Sequence, residues 1–157
     1  MFSLDSVLQN NIGLAAPPCP QCNHQGIMVR NITVQNLILP ELKEKIVDKD
    51  TYYLCSDLEC NISYYDISGK NSFEIKDVKV PIWYKKNATP VFACYCNKIS
   101  KEEVINIVKT TGLTDMNKII IHLRGKVKNT CVAKNPSGQC SNDFFHEIIE
   151  QGLTEIE

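Results

Sequence analysis

Residues 19–26 read Cys19-Pro20-Gln21-Cys22-Asn23-His24-Gln25-Gly26. Two thiols two residues apart grip one ion when the backbone turns sharply after the second. Asn23 stands where that turn needs a residue tolerant of positive φ. Counting outward, Cys55 and Cys60 form a C-x4-C pair that completes a first group of four. Cys94, Cys96, Cys131 and Cys140 form a second four, and no cysteine is left over. Four thiolates close a tetrahedral zinc site, and four also hold a two-iron, two-sulfur cluster. A site filled by four thiolates leaves no coordination position for water, which argues against zinc-assisted hydrolysis.

With 157 residues, 43% of them hydrophobic, the chain can bury one ordinary core or two small ones. Net charge is −1 with 22% charged residues. The lysines at Lys43, Lys45, Lys85, Lys86, Lys98, Lys101, Lys126 and Lys128 look scattered and interleaved with acids, so nucleic-acid binding is not expected. The first twenty residues have neither a basic start nor an apolar stretch long enough for a secretory signal. Apolar runs elsewhere fall far short of the roughly 20 residues that span a bilayer. The expectation is a cytoplasmic protein without membrane contact, where clustered cysteines serve as metal ligands rather than disulfides. Asn-X-Ser/Thr triplets at Asn31, Asn61 and Asn87 would carry glycans only in a secreted protein.

The expected class is α+β. A small β-rich zinc-binding domain over residues 1–82 precedes a mainly helical cluster-binding domain over 91–157. Between them PIWYKKNATP, Pro81 to Pro90, reads as a linker. Before it, Ile27–Val34, Thr51–Leu54, Ile62–Asp66 and Phe73–Val80 read as strands, with a short helix over Pro40–Ile46. After it, Ser100 and Glu103 form a capping box ahead of Val104, Ile105 and Val108, with Gly112 as the stop. A second helix starts at Thr114, carries Met116, Ile119, Ile120 and Leu123 on one face, and ends at Arg124-Gly125. A third runs from about Asn142, with Phe145, Ile148 and Ile149 on one side.

The Cys19 pair has no strand before it and no helix after it, which disfavours a thioredoxin-like reading. His24 is an alternative fourth ligand to a cysteine, although a surface loop histidine is the plainer reading. His122 and His146 are single histidines on helices and are not expected to ligate.

In Cys94-Tyr95-Cys96 the two sulfurs are close enough to serve one iron, or two irons of a compact cluster. Asn135-Pro136-Ser137-Gly138, inside the interval from Cys131 to Cys140, is a turn sequence. Such a loop is expected to aim backbone N–H groups at the sulfurs, and helix N-termini near Ser100 and Asn142 to face an anionic cluster. Tyr95 and Phe144-Phe145 are expected to pack against the cluster rather than to form a docking patch.

The order CPxC, YYLC-x4-C followed by YY, CYC, and C-x3-NPSG-x-C resembles the N-terminal region of CopZ-type copper chaperones. The resemblance covers roughly Pro18 to Cys140. It implies Zn2+ at Cys19, Cys22, Cys55 and Cys60. It implies a 2Fe-2S cluster at Cys94, Cys96, Cys131 and Cys140, in a domain similar to bacterioferritin-associated ferredoxin. It also implies an electron supply that lets copper be handled as Cu(I). The Met-x-Cys-x-x-Cys loop of the heavy-metal-binding module does not occur in these residues; Met1, Met28 and Met116 lie apart from any Cys-x-x-Cys.

These readings point to a small electron carrier that docks on a redox or metal-handling protein, with metal-reductase activity as its nearest enzymatic neighbour. The alternative is a sensor or regulatory module whose cluster state changes partner binding.

Overall fold

The computed structural model of the chain describes residues 16–156. The expectations placed on residues 1–15, the start of the first domain and the missing signal, lie outside these residues. Four short strands form one antiparallel sheet in sequence order: β1 (Ile27–Val29), β2 (Tyr52–Leu54), β3 (Ile62–Asp66) and β4 (Ser72–Glu74). Register is carried by the pairs Ile27 with Leu54 and Tyr53 with Tyr65. Strand alternation sends Tyr52, Leu54 and Tyr64 into one core and Tyr53 and Tyr65 toward the first cysteine group. Across the strands, the Tyr53 and Tyr65 rings stack with centroids 5.7 Å apart.

The β-branched run from Ile27 is not one strand. It bends after Val29, and Asn31–Leu37 forms helix α1. Tertiary packing overrides the local preference: Thr33, Val34 and Leu37 are buried, and the Asn31 side chain donates to the carbonyls of Val47 and Asp50. The stretch expected as a strand over Phe73–Val80 also stops early. Glu74 and Asp77 exchange capping bonds, and Ile75–Asp77 turns as a 3-10 helix. Pro40–Lys45 is likewise 3-10 rather than α.

In the second half, the hairpin β5 (Phe92–Cys94) and β6 (Ile99–Ser100) leads into helix α2 (Lys101–Thr111). Its capping box is formed: Glu103 N–H donates to Ser100 Oγ at 3.2 Å, and Ser100 N–H to Glu103 Oε2 at 2.9 Å. Gly112 closes the helix at φ +76°. Val104, Ile107 and Val108 bury the helix, with Ile105 only part-covered. Helix α3 (Met116–Arg124) is capped by the Asp115 carboxylate, one residue later than Thr114 suggested. Helix α5 (Asn142–Thr154) lies against α2, with Phe145, Ile148 and Ile149 in the shared core. A one-turn helix α4 (Cys131–Lys134) was not foreseen and packs on α1.

The halves meet through side chains. Tyr64 Oη donates to the Pro136 carbonyl, and Tyr95 lies in the core of the sheet half beside Trp83. No helix among the described residues is long and apolar enough to cross a membrane.

Candidate metal centres

The turn after Cys22 is built as the sequence suggests. Asn23 takes φ +64°, its N–H donates to the Cys19 carbonyl at 2.9 Å, and Cys19 N–H donates to the His24 carbonyl at 2.8 Å. Cys55 follows directly on β2, and Cys60 stands two residues before β3, so the sheet register delivers the second pair to the knuckle. The Sγ atoms of Cys19 and Cys60 are 3.9 Å apart and those of Cys22 and Cys55 are 3.7 Å apart; all four lie within 4.8 Å of one another. A tetrahedron with metal–sulfur bonds of about 2.3 Å has edges of about 3.8 Å. The donor set and its spacing fit a zinc ion.

Around these sulfurs the fold supplies partners. Ile62 N–H donates to Cys60 Sγ at 3.5 Å. Tyr65 Oη accepts from Gly26 N–H at 2.8 Å and donates to the Pro17 carbonyl at 2.6 Å, pinning both ends of the knuckle. Lys85, buried in the segment between the halves, donates from Nζ to the carbonyls of Asp57 and Cys60. Burial pushes the Cys55 thiol up, opposed by the Lys85 charge among other bonds. Burial would raise Cys22 as well, but hydrogen bonds from the His24 backbone and ring and from Cys19 and Cys55 bring it to about 7. His24 itself is exposed, 3.6 Å from Asp57, and stands outside the four-sulfur group while sharing Cys22 with Asp57.

The second cysteines are arranged differently. Cys94 ends β5 and Cys96 sits in the hairpin turn, both buried; Cys131 opens α4 half-buried, and Cys140 is exposed. Cys96 and Cys131 approach to 2.9 Å, while this quartet is not gathered into one tight group among the described residues. A single ion needs four converging sulfurs, whereas a two-iron cluster needs two pairs. Four thiolates that do not converge on one point leave room for a two-iron cluster.

Asn97 donates from Nδ2 to Cys94 Sγ at 3.1 Å, and its backbone N–H also serves that sulfur. The Thr130 backbone N–H serves Cys96. The hydrogen bond to Cys96, then burial, pushes the Cys94 thiol up, and the same bond holds Cys96 down.

The Asn-Pro-Ser-Gly loop corrects one expectation. Gly138 N–H closes the turn on the Asn135 carbonyl at 2.8 Å, Ser137 N–H goes to Asn135 Oδ1, and Gln139 N–H goes to Ser137 Oγ. These amides satisfy the loop itself rather than the sulfurs. Phe145 is buried in the helical core that also holds Cys94 and Cys96, Tyr95 is buried instead in the core of the sheet half, and Phe144 packs against both cores. Sequence reasoning missed Lys85, which gave no signal within a linker, and Asn97, whose place right after Cys-Tyr-Cys was a usable clue.

Residues 16–79 match the family model of the CopZ-type zinc-binding domain. The copper chaperone CopZ of Archaeoglobus fulgidus is 29% identical over 122 residues, covering 78% of this chain and 56% of that protein. The X-ray structure of the Archaeoglobus fulgidus CopZ N-terminal domain matches with a TM-score of 0.65 at 25% identity, over 83% of this chain and 96% of that one. The chain thus spans 56% of the length of the curated relative, and its fold is that of the N-terminal domain, with a β-sheet region followed by helices.

Proposed function

We propose that this chain is the redox part of a copper-handling system, with a structural zinc at Cys19, Cys22, Cys55 and Cys60 and a 2Fe-2S cluster at Cys94, Cys96, Cys131 and Cys140. The observation that carries the reading is the sorting of eight cysteines into one converging quartet and one spread quartet, within the fold of a copper chaperone's N-terminal domain. Zinc has no redox chemistry; a bound 2Fe-2S cluster supplies one-electron exchange. This chain's own residues orient the thiolates and shape their field. Asn97 and Thr130 direct N–H groups at Cys94 and Cys96, which favours the more negative, reduced state. Exposure of Cys140 leaves one edge of the site open to a docked partner, while burial of Cys94 and Cys96 shields the other. All eight thiols are committed to the two quartets, so the copper stays with the partner rather than with these residues.

Isolation without oxygen, with iron, zinc and acid-labile sulfide counted per chain, tests this. The expected content is about one zinc, two irons and two sulfides. Cys94→Ser should bleach the visible spectrum and keep zinc. A colourless protein that cannot be reconstituted would overturn the reading. The exposed Cys140 also supports a second reading, a sensor whose cluster loss alters partner affinity. Reversible cycling with unchanged partner affinity decides for the carrier.

A further inference from the structure

Four cations of the acid-free stretch from Arg124 to Lys134, namely Arg124, Lys126, Lys128 and Lys134, line one hollow of about 540 Å³ beside Cys96 together with Lys98. The hairpin turn, the end of α3, the loop after it and α4 each contribute. The chain as a whole is nearly neutral, with 17 basic and 18 acidic residues, so this basic stretch is a local excess, to which the fold adds Lys98 from the hairpin turn. Arg124 spends its charge on Glu103, 2.8 Å away. Among the described residues, Lys98, Lys126, Lys128 and Lys134 have no carboxylate at ion-pair distance. Like charges around a concavity raise the local positive potential and draw in an anionic surface.

The chemistry of the rim selects the kind of anion. The buried amide in the wall, Asn97, is already bonded to Cys94 Sγ and the Lys128 carbonyl, so no buried donor is left to grip a small ion. The Tyr95 ring is in the core, which removes a stacking platform for bases. Exposed Val127 lies between two of the lysines and exposed Val132 follows Cys131. Exposed apolar side chains beside charged ones in the same segment suit a protein contact.

We propose that this basic hollow is the docking face for an acidic protein surface, placing the partner against the second cysteine quartet. Its assignment to a redox partner rests on the functional reading above; the charge argument does not.

The test uses the full chain as isolated and a fluorescein-labelled poly-glutamate peptide of about twenty residues as the acidic probe. Affinity is read by anisotropy, and contact sites by carbodiimide cross-linking of glutamate to lysine followed by mass spectrometry. Binding should fall at least about tenfold as salt rises from about 20 to about 300 mM, with cross-links at Lys98, Lys126, Lys128 and Lys134. The triple variant K98E/K128E/K134E should lose at least about tenfold in affinity, and K98Q/K128Q/K134Q, which introduces no new charge, should lose less. Cross-links spread over Lys43, Lys76 and Lys109 would overturn the proposal. So would tighter binding of an oligothymidylate, or full displacement of the peptide by millimolar inorganic phosphate. Neither readout needs a cluster, so a colourless protein that still binds the peptide at these lysines would sink the functional reading alone.

Discussion

The Lys85 ammonium donates to the Cys60 carbonyl at 3.1 Å from a side chain that is only 3% exposed. A second bond, to the Asp57 carbonyl at 2.6 Å, clamps the loop that carries Cys60. A buried cation beside four thiolates also offsets the −2 charge that a zinc tetrathiolate would carry. Lys85→Met keeps the volume and removes both donors. Two carbonyls lose their partners, at about 1–3 kcal/mol for each group left unsatisfied. Denaturant midpoint and the rate of zinc transfer to a chromogenic chelator should report lower stability and faster release. An unchanged release rate would mean that Lys85 is only filler.

Gly26 faces Tyr65 with no room for a side chain: an added Cβ would lie 2.5 Å from Tyr65 Oη and 2.7 Å from the Leu54 carbonyl oxygen. The backbone oxygen cannot step aside as a flexible side chain would. Gly26→Ala should therefore weaken zinc binding more than Tyr65→Phe, which forfeits the two hydrogen bonds without a clash. Competitive zinc titration of both variants ranks them; a milder effect for Gly26→Ala would contradict the packing argument.

Asn97 ties Cys94 Sγ to the loop before α4 through Nδ2, while its Oδ1 accepts from Lys128 N–H at 2.9 Å. Asn97→Asp swaps the donor to sulfur for a negative charge. Second-sphere changes of this kind cost about 10–100-fold in metal affinity. On the function proposed above, the variant should assemble less cluster and show a lower reduction potential in redox titration, with its zinc content untouched. Equal potentials in the two proteins would remove Asn97 from the site.

Burial would raise the Asp66 carboxyl, yet hydrogen bonds from Asn71 and Ser68 outweigh it and hold the group at about 2. A carboxyl depressed in the fold stabilises the folded state above its unfolded value of about 3.9, and that contribution fades as pH falls toward 2. Asp50, pushed up by burial and by its bond to Asp66, titrates with it, so the stability gap between the native chain and Asp66→Asn should narrow as pH falls below about 4. Paired denaturation series at pH 6 and pH 3.5 check the sign; a gap that widened in acid would reverse it.

What was legible in the sequence was local. The Cys-x-x-Cys turn with Asn23 at positive φ, the Ser100–Glu103 box, the Gly112 stop and the Asn-Pro-Ser-Gly turn each depend on residues within a few positions, where sterics and short hydrogen bonds decide the outcome. The count and spacing of the cysteines fall in the same class. Tertiary structure alone decided that Asn31–Leu37 is helical, because burial against the sheet outweighs β-branching. It alone placed Lys85 under Cys60, and it brought Lys98 to the hollow lined by Lys126, Lys128 and Lys134, which the sequence already groups. Such meetings depend on how strands and helices pack over long separations, and no short-range preference of the chain encodes them.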